Sequence, residues 1–428
     1  MTDLKALILA AGKGVRMKSD SPKVLFEANG LPLLWYPVRA AREAGAAEIV
    51  VVVGAGRVAV QERFKDERLT WALQDKQLGT GHAVMSAREA LDGFRGHIFI
   101  LCGDAPLIRR ETLEKLYKTT VDSGAAATVL TTVVANPTGY GRIIRDDAGI
   151  KRIVEEKDAT PQEKAVREIN SGTYCAKWPA LNSVLDEISA NNAQREYLLT
   201  DAVALLIKRG RLVQAFLSED PDEGLGVNSR AQLAAVAKAL RMRVAERWMA
   251  EGVTIVDPAS VYIDERAEIG RDTVIKPFVV IDGPVKIGAC CQIGPFTHIR
   301  GEAKLADEVN LGNFVEVKAS SLGARTRARH LAFVGDAKVG RDVNIAAGVI
   351  TANSDGVHLQ VTQIGDGAYV GAGTIFVAPT EVAARGATGA GAVVTKDKTV
   401  PAGEVWVGVP AKKLEKAPRT VRKTKKRK

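Results

Sequence analysis

Leu4-Lys5-Ala6-Leu7-Ile8-Leu9-Ala10-Ala11-Gly12-Lys13-Gly14-Val15-Arg16-Met17, with Pro22-Lys23 close behind, joins an apolar strand to a glycine-rich turn and three cations. Leu4 to Ala11 is the nearly continuous apolar run of a strand in a parallel sheet, where both faces are covered. Gly12 and Gly14 let backbone N–H groups approach phosphate oxygens that a side chain would hold off. Lys13, Arg16 and Lys23 supply positive charge where a triphosphate would gather negative charge. A lone G-x-G also opens ordinary βα turns. The added Arg16-Met17 and Pro22-Lys23 narrow the reading to a turn for a nucleoside triphosphate. The absence of G-x-x-x-x-G-K-[ST] excludes a P-loop ATPase.

Outward from that turn, apolar runs alternate with helical stretches to about residue 228, as in a doubly wound sheet. Ile49 to Val53 and His97 to Leu101 are further strands, and the second runs into Cys102-Gly103-Asp104. A carboxylate there stands at the carboxyl end of a strand, where open α/β sheets bind ligands, and beside the first motif it reads as a metal ligand. Between Ser229 and Glu251, Leu233, Val236, Leu240, Val244 and Trp248 recur at helical spacing and Gly252 ends the run, giving a linker helix over 229–252. The period then becomes six: Ile263, Ile269, Ile275, Ile281, Ile287, Ile293, Ile299, Leu305, Leu311 and Val317. Neither a helix nor an alternating strand repeats every six residues. A parallel β-helix does, with each hexad one short strand and a corner. The register slips near Leu322 and resumes at Ile364, Val370, Phe376 and Val382, so loops are expected to leave the coil at the slips. The domains expected are 1–228, the linker helix, 253–414 as the β-helix, and a disordered basic tail over 415–428.

The 428 residues carry a net charge of +10, but Lys412 to Lys428 alone contribute +9 of it. The body is close to neutral, and specific nucleic-acid binding is not expected; the tail reads as a solubilising segment. The four cysteines, Cys102, Cys175, Cys290 and Cys291, have no C-x-x-C spacing, and Met1 to Lys5 lead straight into the first strand without a signal-peptide pattern. No apolar run reaches membrane-spanning length. A cytoplasmic protein is expected.

With both periods in hand, the chain up to the tail resembles the bifunctional N-acetylglucosamine-1-phosphate uridylyltransferase / glucosamine-1-phosphate acetyltransferase family. The segments that carry the resemblance are Gln74, Gln77-Leu78-Gly79-Thr80-Gly81-His82-Ala83, Gly103-Asp104, Pro137-Thr138-Gly139-Tyr140-Gly141-Arg142, Val154-Glu155-Glu156-Lys157-Asp158-Ala159, Glu168-Ile169-Asn170, Glu196-Tyr197, Thr200-Asp201 and Gly226-Val227-Asn228. The resemblance implies a Rossmann-like nucleotidyltransferase domain followed by a left-handed β-helix, in a cytoplasmic homotrimer. It gives uracil and ribose to Leu9, Ala10, Ala11, Gly12, Gln74, Gly79 and Thr80, with Gly103 beside them in the UTP site. The sugar goes to Gly141, Glu155 and Asn170, and Mg²⁺ to Asp104 and Asn228. Arg16 and Lys23 would neutralise charge as N-acetylglucosamine 1-phosphate attacks the α-phosphorus of UTP. In the β-helix it gives the general base to His330, the phosphate of glucosamine 1-phosphate to Arg300 and Lys318, its sugar to Asn344 and Asn353, and acetyl-CoA to Ala347, Ala372 and Ala390.

Several positions depart from the family's pattern: Val15, Cys102, Phe333, Ser354 and Leu359. The last three replace two tyrosines and a phosphate-binding lysine, so a weakened acetyl transfer is expected. Two narrower readings stand beside the main one: a uridylyltransferase whose β-helix serves only to trimerise it, and a nucleotidyltransferase for another sugar 1-phosphate. A dehydrogenase reading rests on Gly54-Ala55-Gly56-Arg57-Val58-Ala59 after a strand, and it leaves every other motif unexplained.

Overall fold

The computed structural model describes residues 3–54, 56–147 and 149–414. The expected basic tail lies outside the described residues. The chain divides into two compact units, Met1–Ala239 and Leu240–Lys428, and the division falls inside the helix Arg230–Ala250.

The first unit is built on one sheet. Its strands are β1 (Leu4–Leu9), β2 (Glu48–Val53), β3 (Thr70–Leu73), β4 (His97–Cys102), β5 (Ala127–Val133), β6 (Arg142–Asp146), β7 (Gly149–Val154), β8 (Glu168–Lys177) and β9 (Val213–Leu217). They lie in the order β9-β5-β8-β4-β1-β2-β3, with β6 joined to β8 and β7 joined to β6. β1 pairs in parallel with both β2 and β4, while β8 runs antiparallel to its neighbours β4, β5 and β6. The chain passes from β1 to one side of the sheet and then crosses to the other, so a crevice opens at the carboxyl ends of β1 and β4. The apolar runs are explained by burial on both faces: Leu4, Leu7, Ile8, Val50, Val52, Ile98 and Ile100 all lie in the core.

The second unit is a parallel β-helix. Three interior ladders run its length: Ile255, Ile275, Ile293, Leu311, Ala328, Ile345, Val370 and Thr388; Ile263, Ile281, Ile299, Val317 and Val334; and Ile269, Ile287, Leu305, Leu322, Val339, Ile364, Val382 and Val400. Nearly all belong to one continuous core cluster. Successive coils are 18 residues apart where Thr273 caps Cys291, 17 where Asn313 meets His330, and 25 where Arg341 meets Asp366. The slip near Leu322 is therefore no loop: two coils are each one residue short at a corner, and the ladders continue unbroken. A loop does leave the coil once, between Asn353 and Gln360, and it is closed by a bridge between Ser354 and Leu359.

Neighbouring cysteines follow the coil geometry. Cys291 is interior, with its Sγ 3.2 Å from the Ala306 carbonyl, whereas Cys290 occupies an exposed corner at φ 58°. At another corner Phe278, Phe296 and Phe314 stack at centroid distances of 4.8 and 5.2 Å, and Leu331 follows on the next coil; all four are exposed and have left-handed backbones.

Candidate functional site

A cavity of about 750 Å³ opens at the carboxyl edge of β1 and β4, and Leu9, Ala10, Ala11, Gly12, Lys13 and Lys23 form one wall of it. The opposite wall is Gln74 to Thr80 with Glu196. Gln74, 3% exposed, is fixed by donating from Nε2 to the Gly79 carbonyl at 3.0 Å. The segment around Gly79 is laced to Tyr197: Tyr197 N donates to Leu78 O, and Gly81 N to Tyr197 O, both at 2.8 Å. Gly79 is required there, since its φ is +114° and a Cβ would lie 2.4 Å from the Tyr197 carbonyl oxygen. Gly54 packs in the same way against Ala11 and Gln77. Gly54, the first glycine of that G-x-G, therefore supports the wall of this cavity.

Gly14 holds φ +60° and lies so near Lys23 that an added Cβ would be 2.7 Å from the lysine's own Cβ. The glycine turn thus fixes the root of the Lys23 side chain, whose ammonium pairs with the Asp104 carboxylate and donates to Asn228 Oδ1 at 3.0 Å. Asp104 follows β4, and its carbonyl accepts from Val227 N at 2.9 Å, which brings the Asn228 segment to it. Gly103 N donates to Leu9 O at 2.9 Å and ties the two strand ends together. Arg16 is exposed on the short turn Val15–Met17. Burial raises the pKa of the Tyr140 phenol, the Asp104 charge adds to that and Arg16 opposes it.

Asp104 and Asn228 present one carboxylate and one amide oxygen that converge on a single cation-sized point, marked by the Lys23 ammonium. That donor set suits Mg²⁺, which takes oxygen ligands and is usually held by one or two protein groups together with substrate phosphates. Among the described residues no group of three or more His, Cys, Asp or Glu side chains is placed to hold a metal.

Gly141, Glu155 and Asn170 also come together, and Glu155 lines a second cavity of about 420 Å³ with Asp158, Thr200 and Asp201. Asn170 N donates to Gly141 O at 2.9 Å, and a Cβ on Gly141 would lie 3.5 Å from Glu155 Oε1 and 3.6 Å from the Asn170 Cβ. Asn170 is the last ladder residue, paired with Thr131, before a register shift in β8 that runs to Tyr174 and holds Gly172 at φ +77°. Cys102 donates through Sγ to the Gly172 carbonyl at 3.6 Å, and burial pushes its thiol up to about 12, so it stays protonated and serves as a small wall of the cavity.

Sequence reasoning gave Arg142 and Glu156 no role. Arg142 is 1% exposed, pairs with Glu156 at 2.5 Å and donates to the carbonyl of Tyr140; Glu156 in turn accepts from Gly139 N at 3.2 Å. This clamp fixes the turn that carries Gly141. A guanidinium buried that deeply is uncommon without a partner, yet the sequence holds no sign of where the partner lies.

In the β-helix, His330 is exposed and its Nδ1 lies 3.2 Å from Asn313 Oδ1, its register partner on the preceding coil. An amide oxygen only accepts, so this bond places the proton on Nδ1 and leaves Nε2 free as a base. The coil offsets stack His330, Ala347, Ala372 and Ala390 in one exposed row: Gly348 N donates to Leu331 O at 2.6 Å, Gly373 N to Ala347 O at 2.7 Å and Gly391 N to Ala372 O at 2.8 Å. Arg300 and Lys318 are register partners on another row; Arg300 pairs with Glu316 at 2.7 Å and Lys318 with Asp336 at 3.3 Å. Asn353 donates to the same Asp336, and Phe333 packs beside it at Gly335. Asn344 belongs to a third row, in register with Arg327 and Tyr369. Leu359 is exposed on the loop that leaves the coil.

A sheet with a lysine-lined crevice at its switch point, followed in one chain by a β-helix, is the architecture of a two-part transferase, and the comparisons with known proteins give the same class. Residues 6–159 match the MobA-like NTP transferase domain. The chain is 45% identical to the bifunctional protein GlmU of Heliobacterium modesticaldum, covering 94% of each. It is 46% identical to that of Pelobacter propionicus, covering 95% of this chain and 96% of the relative. The chain belongs to the GlmU family, and it is a nucleotidyltransferase and acetyltransferase. A solved UDP-glucose pyrophosphorylase complexed with UDP-glucose is 21% identical and covers 57% of this chain and 100% of its own, at a TM-score of 0.46.

Burial raises the Glu155 carboxyl above its usual range, the Thr200 hydroxyl opposes this by donating at 3.1 Å, and Asp201, Asp158 and Glu196 add repulsion. A carboxyl raised on folding holds its proton more tightly folded than unfolded, so stability falls as pH rises from its unfolded pKa through the raised one. Glu155→Gln is therefore expected to be more stable than wild type at pH 8, with the difference shrinking toward pH 4. Urea denaturation at both pH values measures this, and an equal difference at both would overturn it.

Proposed function

We propose that the chain makes UDP-N-acetylglucosamine in two steps, one in each half. The β-helix transfers acetyl from acetyl-CoA to the amine of glucosamine 1-phosphate, and the first unit then transfers uridylyl from UTP to the N-acetylglucosamine 1-phosphate. The observation that carries this reading is the convergence of Lys23, Asp104 and Asn228 at the cavity that the glycine turn lines.

In the uridylyl step, Leu9 to Gly12, Gln74, Gly79 and Thr80 hold the nucleoside, and the N–H groups around Gly12 meet the phosphates. Glu155 and Asn170 hold the sugar, with Gly141 giving it room. Arg16 and Lys23 offset the charge that builds as a phosphate oxygen of the sugar phosphate bonds to the α-phosphorus and pyrophosphate leaves. Positioning and electrostatics account for such transfer, and no covalent enzyme intermediate is needed. Asp104 and Asn228 would hold Mg²⁺, which supplies further neutralisation of the phosphates. In the acetyl step His330 Nε2 takes the proton from the amine as it attacks the thioester carbon, and the coenzyme A thiolate leaves. The row of Ala347, Ala372 and Ala390 leaves a shallow path for the donor; Arg300, Lys318, Asn344 and Asn353 serve the acceptor.

The substrates, UTP and acetyl-CoA, fit a cytoplasmic enzyme, and no helix among the described residues is long and apolar enough to cross a membrane. The exposed stack of Phe278, Phe296, Phe314 and Leu331 supports a homotrimer, because an apolar row along one corner is the kind of surface a second copy covers.

Three measurements test the reading. Asp104→Asn is expected to abolish Mg²⁺-dependent formation of UDP-N-acetylglucosamine while far-UV circular dichroism stays unchanged; a near-wild-type rate at saturating Mg²⁺ would refute the metal assignment. Thiol release from acetyl-CoA with glucosamine 1-phosphate should be lost in His330→Ala, whereas release indifferent to that change would remove His330 as base, and no release from wild type would leave the β-helix as a scaffold. By light scattering, Phe296→Asp should lower the oligomer mass from that of a trimer; an unaltered trimer would move the interface elsewhere.

A further inference from the structure

The Lys23 ammonium occupies the point between the Asp104 carboxylate and Asn228 Oδ1 that the preceding section gives to Mg²⁺. The pair is mostly buried, with 12% and 17% of the two side chains exposed, and among the described residues no other cation pairs with Asp104. An ammonium and a divalent cation cannot share one position a few ångströms across, because their repulsion in a partly desolvated site is large. The root of the lysine is fixed by its packing at Gly14, but its four-carbon stem also borders the cavity beside Gly12 and Lys13, where phosphates would lie. Without a phosphate there, a lysine displaced from Asp104 would be left as a half-buried, unpaired charge, which is strongly disfavoured. A phosphate in the cavity removes that penalty by giving the ammonium a new partner.

We propose that Lys23 is an exchangeable cation that holds the metal position until the nucleotide arrives, and so makes metal binding and UTP binding mutually dependent. This rests on Asp104 and Asn228 being the metal ligands. The role is opposite in sign to simple support of the site. If Lys23 only shaped the metal site, removing it would weaken metal binding; as an occupant, it competes with the metal, and removing it strengthens binding in the absence of nucleotide. By linkage, the factor by which UTP tightens the metal equals the factor by which the metal tightens UTP, and both should fall when the lysine charge is gone.

The test is titration of the full-length protein with Mn²⁺, followed by electron paramagnetic resonance, with and without UTP and with no sugar phosphate present. Lys23→Met should bind Mn²⁺ on the order of tenfold more tightly than wild type without UTP, and UTP should add less to its affinity than it adds to wild type. Lys23→Arg, which keeps the charge, should stay close to wild type without UTP. Binding by Lys23→Met that is no tighter than wild type, while Asp104→Asn still abolishes binding, would overturn the exchange and leave the metal ligands standing. Binding indifferent to Asp104→Asn would overturn the metal assignment and the exchange with it.

Discussion

Parallel pairing in fixed register is the constraint on which both halves of this chain depend. In the first unit it aligns the carboxyl ends of β1, β2 and β4, so that Leu9, Val53 and Cys102 finish at one edge and the segments that follow them meet there. In the second unit the same pairing, reduced to strands of two or three residues, sets each coil on the last. Because the register is held coil after coil, side chains far apart in sequence fall into rows, and His330, Ala347, Ala372 and Ala390 form one of them. Both candidate sites therefore sit where an alignment enforced by backbone hydrogen bonds brings together residues from different turns of the chain.

Much of the architecture was legible because it is periodic. The isoleucines six apart from Ile263 to Ile299 are the interior positions of the coils, and their spacing alone distinguishes a β-helix from any other all-β form. The slip near Leu322 misled because a coil one residue short and a coil with an inserted loop both break a six-residue count; only the pairing of Leu305 with Leu322 and Leu322 with Val339 separates them. The opening glycine turn was legible for a different reason, since φ values and close approach restrict which residue can stand there. Partners were not legible. Lys23 is 81 residues from Asp104 and 205 from Asn228, and nothing in those intervals announces that the three meet. Arg142 and Glu156 carry no pattern of their own, being one cation and one anion in a chain full of both.

The cations of the two halves are held differently. Lys23 is largely enclosed, so its pairing with Asp104 involves substantial desolvation. Arg300, paired with Glu316, is 40% exposed, and pairs of that kind are worth about 0–1 kcal/mol. A phosphate can take such an arginine from its carboxylate with little penalty. Lys318 is intermediate, sharing Asp336 with Asn353. The charges of the first unit are thus closely enclosed, whereas those of the second lie at an open surface.

The row from His330 to Ala390 has one more consequence. Adjacent strands are spaced about 4.8 Å apart, so its three steps measure about 14 Å along the coil axis. The length of that path comes only in whole steps, because the backbone pairing admits no fraction of a coil. Substitutions along the row can change its width or polarity, but only gain or loss of a complete coil can change its reach. The solenoid acts as a ruler with fixed graduations, and any donor that uses the row is selected by length before it is selected by contact.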